Sequence, residues 1–357
     1  MASSPEVLNK ILTRGVEMHG SDIHIATGAP LRVRVYGSLV NMSEKPLSSY
    51  EVHEMLEFLM DAKMRKELES FGQIDRSYDI SRVARFRVNI FRQHAAESAV
   101  FRVLNDKIPP FDSLGLLKEI KELTELRRGM VLVTGATGSG KSTTLAAMLD
   151  IINETKSKHI ITLEAPVEYQ HWHKLSNVSQ REVGRDVRDF GSGLRAALRQ
   201  DPDVILVGEM RDQETTEVAM RAAETGHLLL STLHTNGAVE TVNRIIDMFP
   251  EARHHQVRNQ LASSIEAVIS QQLLPKKEGK GYVVALELLL KNREVQNLIT
   301  SNKVLELHDY LLSPEARSEG MVSMDSSIFK LFEEGKITAE TAIAYAVDKK
   351  RMKLDLS

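Results

Sequence analysis

The sequence predicts an α/β protein in which a smaller α+β domain precedes a larger domain with a mainly parallel sheet and helices on both faces. Length is the first observation behind this prediction, since 357 residues exceed what one hydrophobic core usually supports. The second is a change near residue 105, from short alternating strands to apolar runs separated by helical stretches. The third is a glycine-rich loop that joins one of these runs to a helix-forming segment.

The first domain, predicted over residues 1–104, combines strands with one helical interlude. Apolar and polar side chains alternate over residues 31–36 and 85–90, as expected of half-buried strands, and residues 98–104 supply a third strand. Apolar residues spaced three and four apart over residues 51–72 predict one or two amphipathic helices. This domain is therefore predicted to be α+β.

The second domain is predicted over residues 119–357. A linker or hinge is predicted at residues 105–118, where Pro109 and Pro110 stop regular structure. Beyond it, apolar runs alternate with helical stretches, as in a sheet covered on both faces. The runs lie at residues 130–134, 159–163, 204–208, 228–233 and 282–290, and residues from about 292 to 357 are predicted to be helical.

Composition and charge exclude several classes of function. The 46 Lys and Arg residues nearly balance the 49 Asp and Glu residues, so no strong positive field is available to hold nucleic acid or an anionic membrane. The chain has no cysteine, which excludes disulfides, thiol nucleophiles and cysteine zinc sites. Residues 1–20 lack the apolar run of a secretion signal, and no segment reaches about 18 consecutive apolar residues. We therefore expect a cytoplasmic protein.

The strongest motif is GATGSGKS, from Gly135 to Ser142, which matches G-x-x-x-x-G-K-[ST] between a strand and a helix. Glycines let backbone N–H groups turn toward phosphate oxygens, and the following helix directs its positive end at the same anion. Lys141 adds a charge for the β and γ phosphates, and the Ser142 hydroxyl can ligate Mg²⁺. We therefore predict ATP and Mg²⁺ as cofactors, with nucleotide-binding residues Gly135, Ala136, Thr137, Gly138, Ser139, Gly140, Lys141, Ser142 and Thr143.

Two glutamates follow apolar strands, at positions where carboxylates would emerge from the sheet. Glu164 ends the run ITLE, and Glu209 follows VILV and one glycine. A carboxylate at a strand's end is often only solvated, but two of them beside a phosphate loop indicate a hydrolytic site. We assign Glu164 to activation of the attacking water and Glu209, with Ser142, to the Mg²⁺ side. The spacing alone does not settle this division.

Two histidines bracket the strand LLLSTL, His227 before it and His234 after it. Both are predicted to reach the γ phosphate by hydrogen bonding; a structural role or metal ligation is the alternative. The remaining histidine pairs lack the spacing of a structural metal site. We expect them to be surface residues: His171 with His173, and His254 with His255.

Taken together, these motifs resemble those of the PilT-type secretion ATPases, the retraction motors of type IV pili in twitching motility. The likeness runs from about residue 21 to the C-terminus. GATGSGKST resembles the family's Walker A motif, and TLEAPVEY resembles its acidic Asp box. LRQDPDVILVGEMRDQET is similar to the atypical Walker B motif, and AAETGHLLLSTLHTN to the histidine box. SDIHI, RFRVNIF and AVFRVL look like parts of the N-terminal domain.

The resemblance implies a PAS-like N-terminal domain and a RecA-like P-loop ATPase domain, assembled as a homo-hexamer. The implied function is a Mg-dependent ATPase motor that retracts type IV pili. Its implied partners are the inner-membrane platform protein of the pilus and other motor subunits, so the protein would lie at the inner face of the cell membrane and meet it only through the platform. The implied catalytic residues are Lys141, Glu164, Glu209 and His234, with His227 contacting the nucleotide.

Arginines on the N-terminal sheet approach the nucleotide in this family. The candidates in this chain are Arg85, Arg87 and Arg102. An arginine supplied to a phosphoryl-transfer site can contribute about 10³ to 10⁵ in rate. The alternative is that these arginines are solvated residues on a sheet face.

The acidic box departs from the family pattern at Ala165, where a second carboxylate is usual. This motivates an alternative function, a nucleotide-binding accessory or regulatory paralogue of a pilus motor with weak hydrolysis. Extension motors usually carry a large extra N-terminal domain and a four-cysteine zinc site, and the lack of both here favours retraction. A RecA-like nucleic-acid translocase is disfavoured by the near-neutral charge and the 5% aromatic content.

Overall fold

The computed structural model of the chain describes residues 4–35, 37–104, 107–279 and 281–356. Tyr36 of the first predicted strand, and residues 105 and 106 of the predicted linker, lie outside the described residues. The chain divides into two compact units, Met1–Lys107 and Ile108–Ser357. Among the described residues, none of the helices is long and apolar enough to cross a membrane.

The first unit is an antiparallel sheet with helices. Its strands are β1 (Gly20–Ala26), β2 (Arg32–Val35), β3 (Ser38–Asn41), β4 (Gln73–Ile80), β5 (Ala84–Gln93) and β6 (Ala96–Leu104). They pair in the order β3-β2-β1-β6-β5-β4, and each neighbouring pair is antiparallel. The helices are α1 (Ser4–Glu17), α2 (Ser49–Glu57) and α3 (Ala62–Phe71). The prediction of a smaller α+β domain is confirmed.

Apolar and polar side chains alternate along β5, and the apolar ones contribute to the core of this unit. Phe86, Val88 and Ile90 are fully buried on one face, and the Phe86 ring meets Phe101 edge to face, with centroids 6.4 Å apart. The helical interlude is two helices. The second begins where the Asp61 side chain accepts from a backbone N–H of α3 and ends at a glycine with positive φ.

The second unit is a seven-stranded sheet covered on both faces. Its strands are β7 (Gly129–Thr134), β8 (His159–Glu164), β9 (Asn177–Glu182), β10 (Val204–Val207), β11 (Leu228–Leu233), β12 (Ile265–Pro275) and β13 (Tyr282–Leu290). They pair in the order β13-β12-β7-β11-β10-β8-β9. The β12–β13 pair is antiparallel and the other pairs are parallel. The predicted mainly parallel sheet is confirmed.

Helices pack on both faces of this sheet because the strands bury side chains in both directions. In β7, Met130 and Leu132 join one apolar cluster, whereas Val131 and Val133 join another. The helices before the last strand are α4 (Lys118–Glu122), α5 (Lys141–Thr155), α6 (Phe190–Ala197), α7 (Gln213–Glu224), α8 (Ala238–Asp247) and α9 (His254–Ser264). After β13 come α10 (Arg293–Thr300), α11 (Glu306–Leu311), α12 (Pro314–Ser318), α13 (Met324–Glu333), α14 (Ala339–Tyr345) and α15 (Lys349–Asp355).

Part of the predicted linker belongs to the core of the second unit. Phe111 is buried in one of its clusters, and Ile108, Leu114 and Leu117 pack against the same cluster. The neighbouring prolines and glycine predict irregular structure, which is why these residues fall within the predicted linker. Irregular backbone can still bury side chains. A hinge within residues 105–118 stays a prediction.

Candidate nucleotide site

The phosphate loop joins the fully buried strand β7 to helix α5. Gly135, Gly138 and Gly140 have φ of 137°, 82° and 92°, which favour glycine. A side chain at Gly135 would also clash, because its Cβ would lie 2.4 Å from the Gln271 carbonyl oxygen. The local sequence therefore allows a tight loop whose backbone can approach an anion at the N-terminus of α5.

Lys141 lies at the centre of this loop. Its ammonium donates to the carbonyl oxygens of Gly135 at 2.8 Å and Ala136 at 2.9 Å. Burial lowers the pKa of Lys141, while the nearby charges of Glu168 and Glu209 act in the opposite direction. The loop thus holds a cation where the sequence predicts the β and γ phosphates.

The carboxyl ends of four parallel strands bring the predicted residues to one edge of the sheet. Register pairs Leu233 with Thr134, and Val207 with both Ser231 and Leu163. The phosphate loop follows β7, His234 follows β11, Glu209 follows β10 after one glycine, and Glu164 is the last residue of β8. These four features therefore emerge side by side. Sequence spacing suggested this meeting, and strand pairing produces it.

Glu209 lies beside an arginine and a histidine. Its Oε2 atom is 2.5 Å from Nε of Arg211 and 3.7 Å from Nε2 of His234. Burial and Lys141 lower the pKa of His234, and Glu209 acts against them. Among the described residues, no group of three or more acidic or histidine side chains could hold a metal by itself. The oxygen donors available to Mg²⁺ here, the Ser142 hydroxyl and the Glu209 carboxylate, therefore suit a metal that arrives with phosphate ligands.

Glu164 has neutral hydrogen-bond partners. Its Oε1 atom accepts from the Thr162 hydroxyl at 2.7 Å and from the Gln180 amide at 3.1 Å. Burial raises the pKa of Glu164 to about 7, although these donors favour the ionised form. A carboxyl that titrates near neutral pH suits a general base.

A small cavity of about 40 Å³ adjoins this glutamate. A space of that size can hold a water molecule where polar groups line it. Its polar lining includes Ser142, Glu164, Tyr169, His171 and Thr232. The sequence did not reveal Tyr169, His171 or Thr232 as part of the site, because each is a common residue without a motif of its own.

The prediction that His171 is a surface residue is wrong. The side chain is 8% exposed, and burial lowers its pKa to about 4. Its backbone N–H donates to Gln180, and within the described part of the chain its Nδ1 atom has no partner. Gln180 belongs to strand β9, which the sequence prediction did not include.

His227 does not lie with the phosphate loop. It precedes β11, and its carbonyl oxygen accepts from the N–H of Gly129, the first residue of β7. Its Nδ1 atom is 3.0 Å from the carbonyl oxygen of Ala222. The six residues of β11, at about 3.3 Å each, separate His227 from the edge of the sheet where the phosphate loop lies. Of the two histidines, His234 lies at the loop edge of the same chain and His227 at the opposite edge, and a contact of His227 with the nucleotide stays a prediction.

The predicted arginines lie on the sheet of the first unit, where each pairs with an aspartate. Arg85 is 2.8 Å from Asp79, and Arg102 is 2.8 Å from Asp22. Arg87 makes a longer contact of 3.7 Å with Asp75. These pairs are common on a half-solvated sheet face, and catalytic roles for Arg85 and Arg102 stay predictions.

A larger cleft of about 640 Å³ opens beside the phosphate loop. It is lined by Gly140 and Thr143 of the loop and helix, and by Gln271, Leu273 and Tyr282 of the β12–β13 hairpin. Mixed apolar and polar walls of this kind suit the base and sugar of a nucleotide. Sequence reasoning missed β12, which follows α9 with no glycine or proline between them.

The family profile of type II/IV secretion system proteins matches residues 2–320 of the chain. The type IV pilus retraction ATPase PilT of Pseudomonas aeruginosa is 43% identical over 335 residues, which cover 94% of this chain and 96% of that protein. The twitching motility protein of Neisseria gonorrhoeae is 43% identical over 336 residues, covering 94% and 89%.

Solved structures give the same result for the fold. The crystal structure of the pilus retraction motor PilT with bound ADP superposes with a TM-score of 0.89 at 45% identity, covering 97% of this chain and 98% of that one. Identity at this level over nearly the whole chain places the two proteins in one fold.

Proposed function

The chain belongs to the type II/IV secretion system protein family, and from that premise we propose that it is an ATP-hydrolysing motor that retracts type IV pili in twitching motility. The observation that carries ATP hydrolysis is the meeting of Lys141, Glu164 and Glu209 at one edge of the sheet. A cation for the phosphates, a basic carboxylate for water and a second carboxylate for a metal are the parts that phosphoryl transfer to water requires. The mechanical function rests on the relatives named for pilus retraction and twitching motility.

ATP and Mg²⁺ are the proposed substrate and metal. The loop from residue 135 to 140 and the N-terminus of α5 would hold the phosphates, and the cleft beside them would take the base and sugar. Ser142 and Glu209 would hold Mg²⁺, which neutralises charge on the phosphate oxygens when bound. Lys141 and His234 place donors beside the same oxygens, where they can stabilise the charge that develops during transfer.

Glu164 is the proposed general base. Because its pKa is about 7, a large fraction is ionised at neutral pH and able to accept a proton from water. The adjoining cavity, whose lining includes Glu164 and Ser142, supports this proposal because it is large enough for that water. This arrangement favours the assignment of Glu164 to water and Glu209 to the metal side.

We further propose that the motor is a homo-hexamer, located at the inner face of the cell membrane, where it would act on the pilus platform protein. Family membership supports this assembly. The roles of Arg85 and Arg102 at the nucleotide belong to the same proposal.

A second candidate is an accessory subunit that binds nucleotide and hydrolyses it weakly. Ala165 favours it, because one acidic group of the family's box is missing beside Glu164. The raised pKa of Glu164 argues for hydrolysis, since a base that titrates near neutral pH serves little purpose in a site that only binds.

The test is Mg²⁺-dependent phosphate release by the purified protein, together with pilus retraction in cells that lack their own retraction motor. Lys141→Ala should lower turnover by about 10³-fold, because it removes the cation that faces the transferred phosphoryl group. Lys303→Ala, at a surface lysine paired with Glu306, is the matched control and should keep full turnover.

Undiminished turnover in Lys141→Ala would refute the site. Tight ATP binding with negligible release by the unaltered protein would favour the accessory role. Strong turnover without restored retraction in the cells would separate ATP hydrolysis from the mechanical function.

A further inference from the structure

We propose that Gln180 is a positioning residue that sets the orientation of the Glu164 carboxylate toward the attacking water. The inference deepens the proposed function and rests on it, because it requires Glu164 to act in hydrolysis. Gln180 lies on β9, which pairs in parallel with β8, so that Gln180 stands opposite Thr162 and close to Glu164.

Every polar atom of the Gln180 amide has a partner. Its nitrogen donates to Oε1 of Glu164 at 3.1 Å and to the carbonyl oxygen of Tyr169 at 2.9 Å. Its oxygen accepts from the backbone N–H of His171 at 2.7 Å. If the amide were flipped, its oxygen would face the Tyr169 carbonyl oxygen and its nitrogen would face the His171 N–H. These two backbone groups therefore fix the amide nitrogen as the atom that faces Glu164.

The fixed amide in turn fixes the carboxylate. Oε1 of Glu164 accepts from both Gln180 and Thr162, and two donors that approach one oxygen from different residues restrict rotation of the carboxylate. The loop between β8 and β9 is also tied to the phosphate-loop helix, because the Tyr169 hydroxyl lies 2.9 Å from that of Thr143. Gln180 therefore joins the general base to the segment that would hold the phosphates.

The surrounding charges set the direction of the pH effect. Burial raises the pKa of Glu164, donation from Thr162 and Gln180 opposes burial, and the Glu168 carboxylate adds to it. Lys141 interacts with both Glu168 and Glu209, and His171 stays neutral above its pKa of about 4. Loss of the Gln180 donor would raise the pKa of Glu164 further. A general base acts in its ionised form. The acid limb of the pH–rate profile would therefore move to higher pH.

The experiment compares Gln180→Glu with the unaltered protein in single-turnover ATP hydrolysis across pH 5.5 to 9. This variant keeps the length of the side chain and the acceptor for His171, but it removes both donors and places a second carboxylate beside Glu164, which by itself raises the pKa of Glu164. We expect the rate at pH 7 to fall by about tenfold to 100-fold, with nucleotide affinity within about twofold. We also expect the midpoint of the acid limb to rise by about one pH unit. Gln180→Asn, whose shorter side chain withdraws the donor and adds no charge, separates the two causes: a midpoint that also rises in Gln180→Asn comes from the lost hydrogen bond, whereas a midpoint that rises in Gln180→Glu alone overturns the inference.

Gln260→Glu is the matched control, because Gln260 also donates to a glutamate, Glu224, at 2.8 Å, on the exposed surface. It should leave rate and midpoint unchanged. If Gln180→Glu does not fold, Gln180→Asn carries the same test, since its shorter side chain withdraws the donor from Glu164. An unmoved midpoint with an unchanged rate in the folded variant overturns the inference.

Failure of the inference is distinguishable from failure of the proposed function. In a Glu164→Gln background, Gln180→Glu should add no further loss of rate, because its effect passes through Glu164. If Glu164→Gln alone leaves the rate intact, the proposed role of Glu164 fails. If Glu164→Gln is slow but Gln180→Glu slows it as much again, Glu164 stands and the positioning role of Gln180 is overturned.

Discussion

Glu164 and Glu209 emerge from neighbouring parallel strands, yet their surroundings differ in kind. Glu164 accepts hydrogen bonds from a hydroxyl and an amide, and burial raises its pKa to about 7. Glu209 instead lies within ion-pair distance of Arg211 and His234. One carboxylate therefore lies among neutral donors, and the other lies beside an arginine and a histidine. Position at the end of a strand therefore does not decide what a carboxylate can do; the side chains around it do.

The largest effect on hydrolysis is expected from Glu164, the carboxylate proposed to activate water. Glu164→Gln should lower single-turnover hydrolysis by about 10²- to 10⁴-fold while ATP binding persists, since the substitution removes the base and keeps the acceptor for Thr162 and Gln180. Quench-flow with radiolabelled ATP measures the rate, and filter binding measures affinity. Glu154→Gln, at an exposed glutamate paired with Lys174, is the control. A rate above half that of the unaltered protein would show that Glu164 is not the general base.

A smaller effect is expected from Glu209, the carboxylate proposed to hold Mg²⁺. Glu209→Gln should raise the Mg²⁺ concentration needed for half-maximal turnover by about tenfold or more, because an oxygen ligand loses its charge. A Mg²⁺ titration at fixed ATP measures this change, with Glu224→Gln as the control. If Glu209→Gln instead moved the acid limb of the pH profile, the two roles would be exchanged.

The smallest effect should come from Arg211, which is 74% exposed beside Glu209. Arg211→Ala frees the carboxylate and should lower the Mg²⁺ requirement by no more than about fivefold, because an exposed ion pair contributes about 0.2–1 kcal/mol. The same titration detects the change. Arg188→Ala, which breaks the exposed pair with Asp189, should leave the requirement unaltered. A higher Mg²⁺ requirement in Arg211→Ala would mean that the arginine helps to hold the phosphates.

Much of the site could be predicted because its signals are local. The phosphate loop depends on glycines at positive φ and on a lysine at the start of a helix, all within eight consecutive residues. The strands that end at Glu164 and before Glu209 were visible as apolar runs. Edge strand β9 was not, because five of its six residues are polar and Val178 is its one apolar residue.

The two histidines of the histidine box show where local reasoning stops. Both flank the same strand, and residue spacing treats them alike. In the structure the strand separates them, so that only His234 joins the phosphate-loop edge. The two ends of a strand lie at opposite edges of the sheet, so the direction of the strand decides which histidine lies with the phosphate loop. The spacing of residues in a motif does not contain this information.

Sequence alone determined the elements whose physics acts between near neighbours: the glycine turn, the helix after it, the apolar strands and the two-unit organisation. Only the tertiary structure decided which polar groups meet, such as Gln180 with Glu164, buried His171 with Gln180, and His234 with Glu209. The reason is that strand order and register bring together residues far apart in the chain. Those contacts, and the burial that accompanies them, set the pKa and orientation of each group.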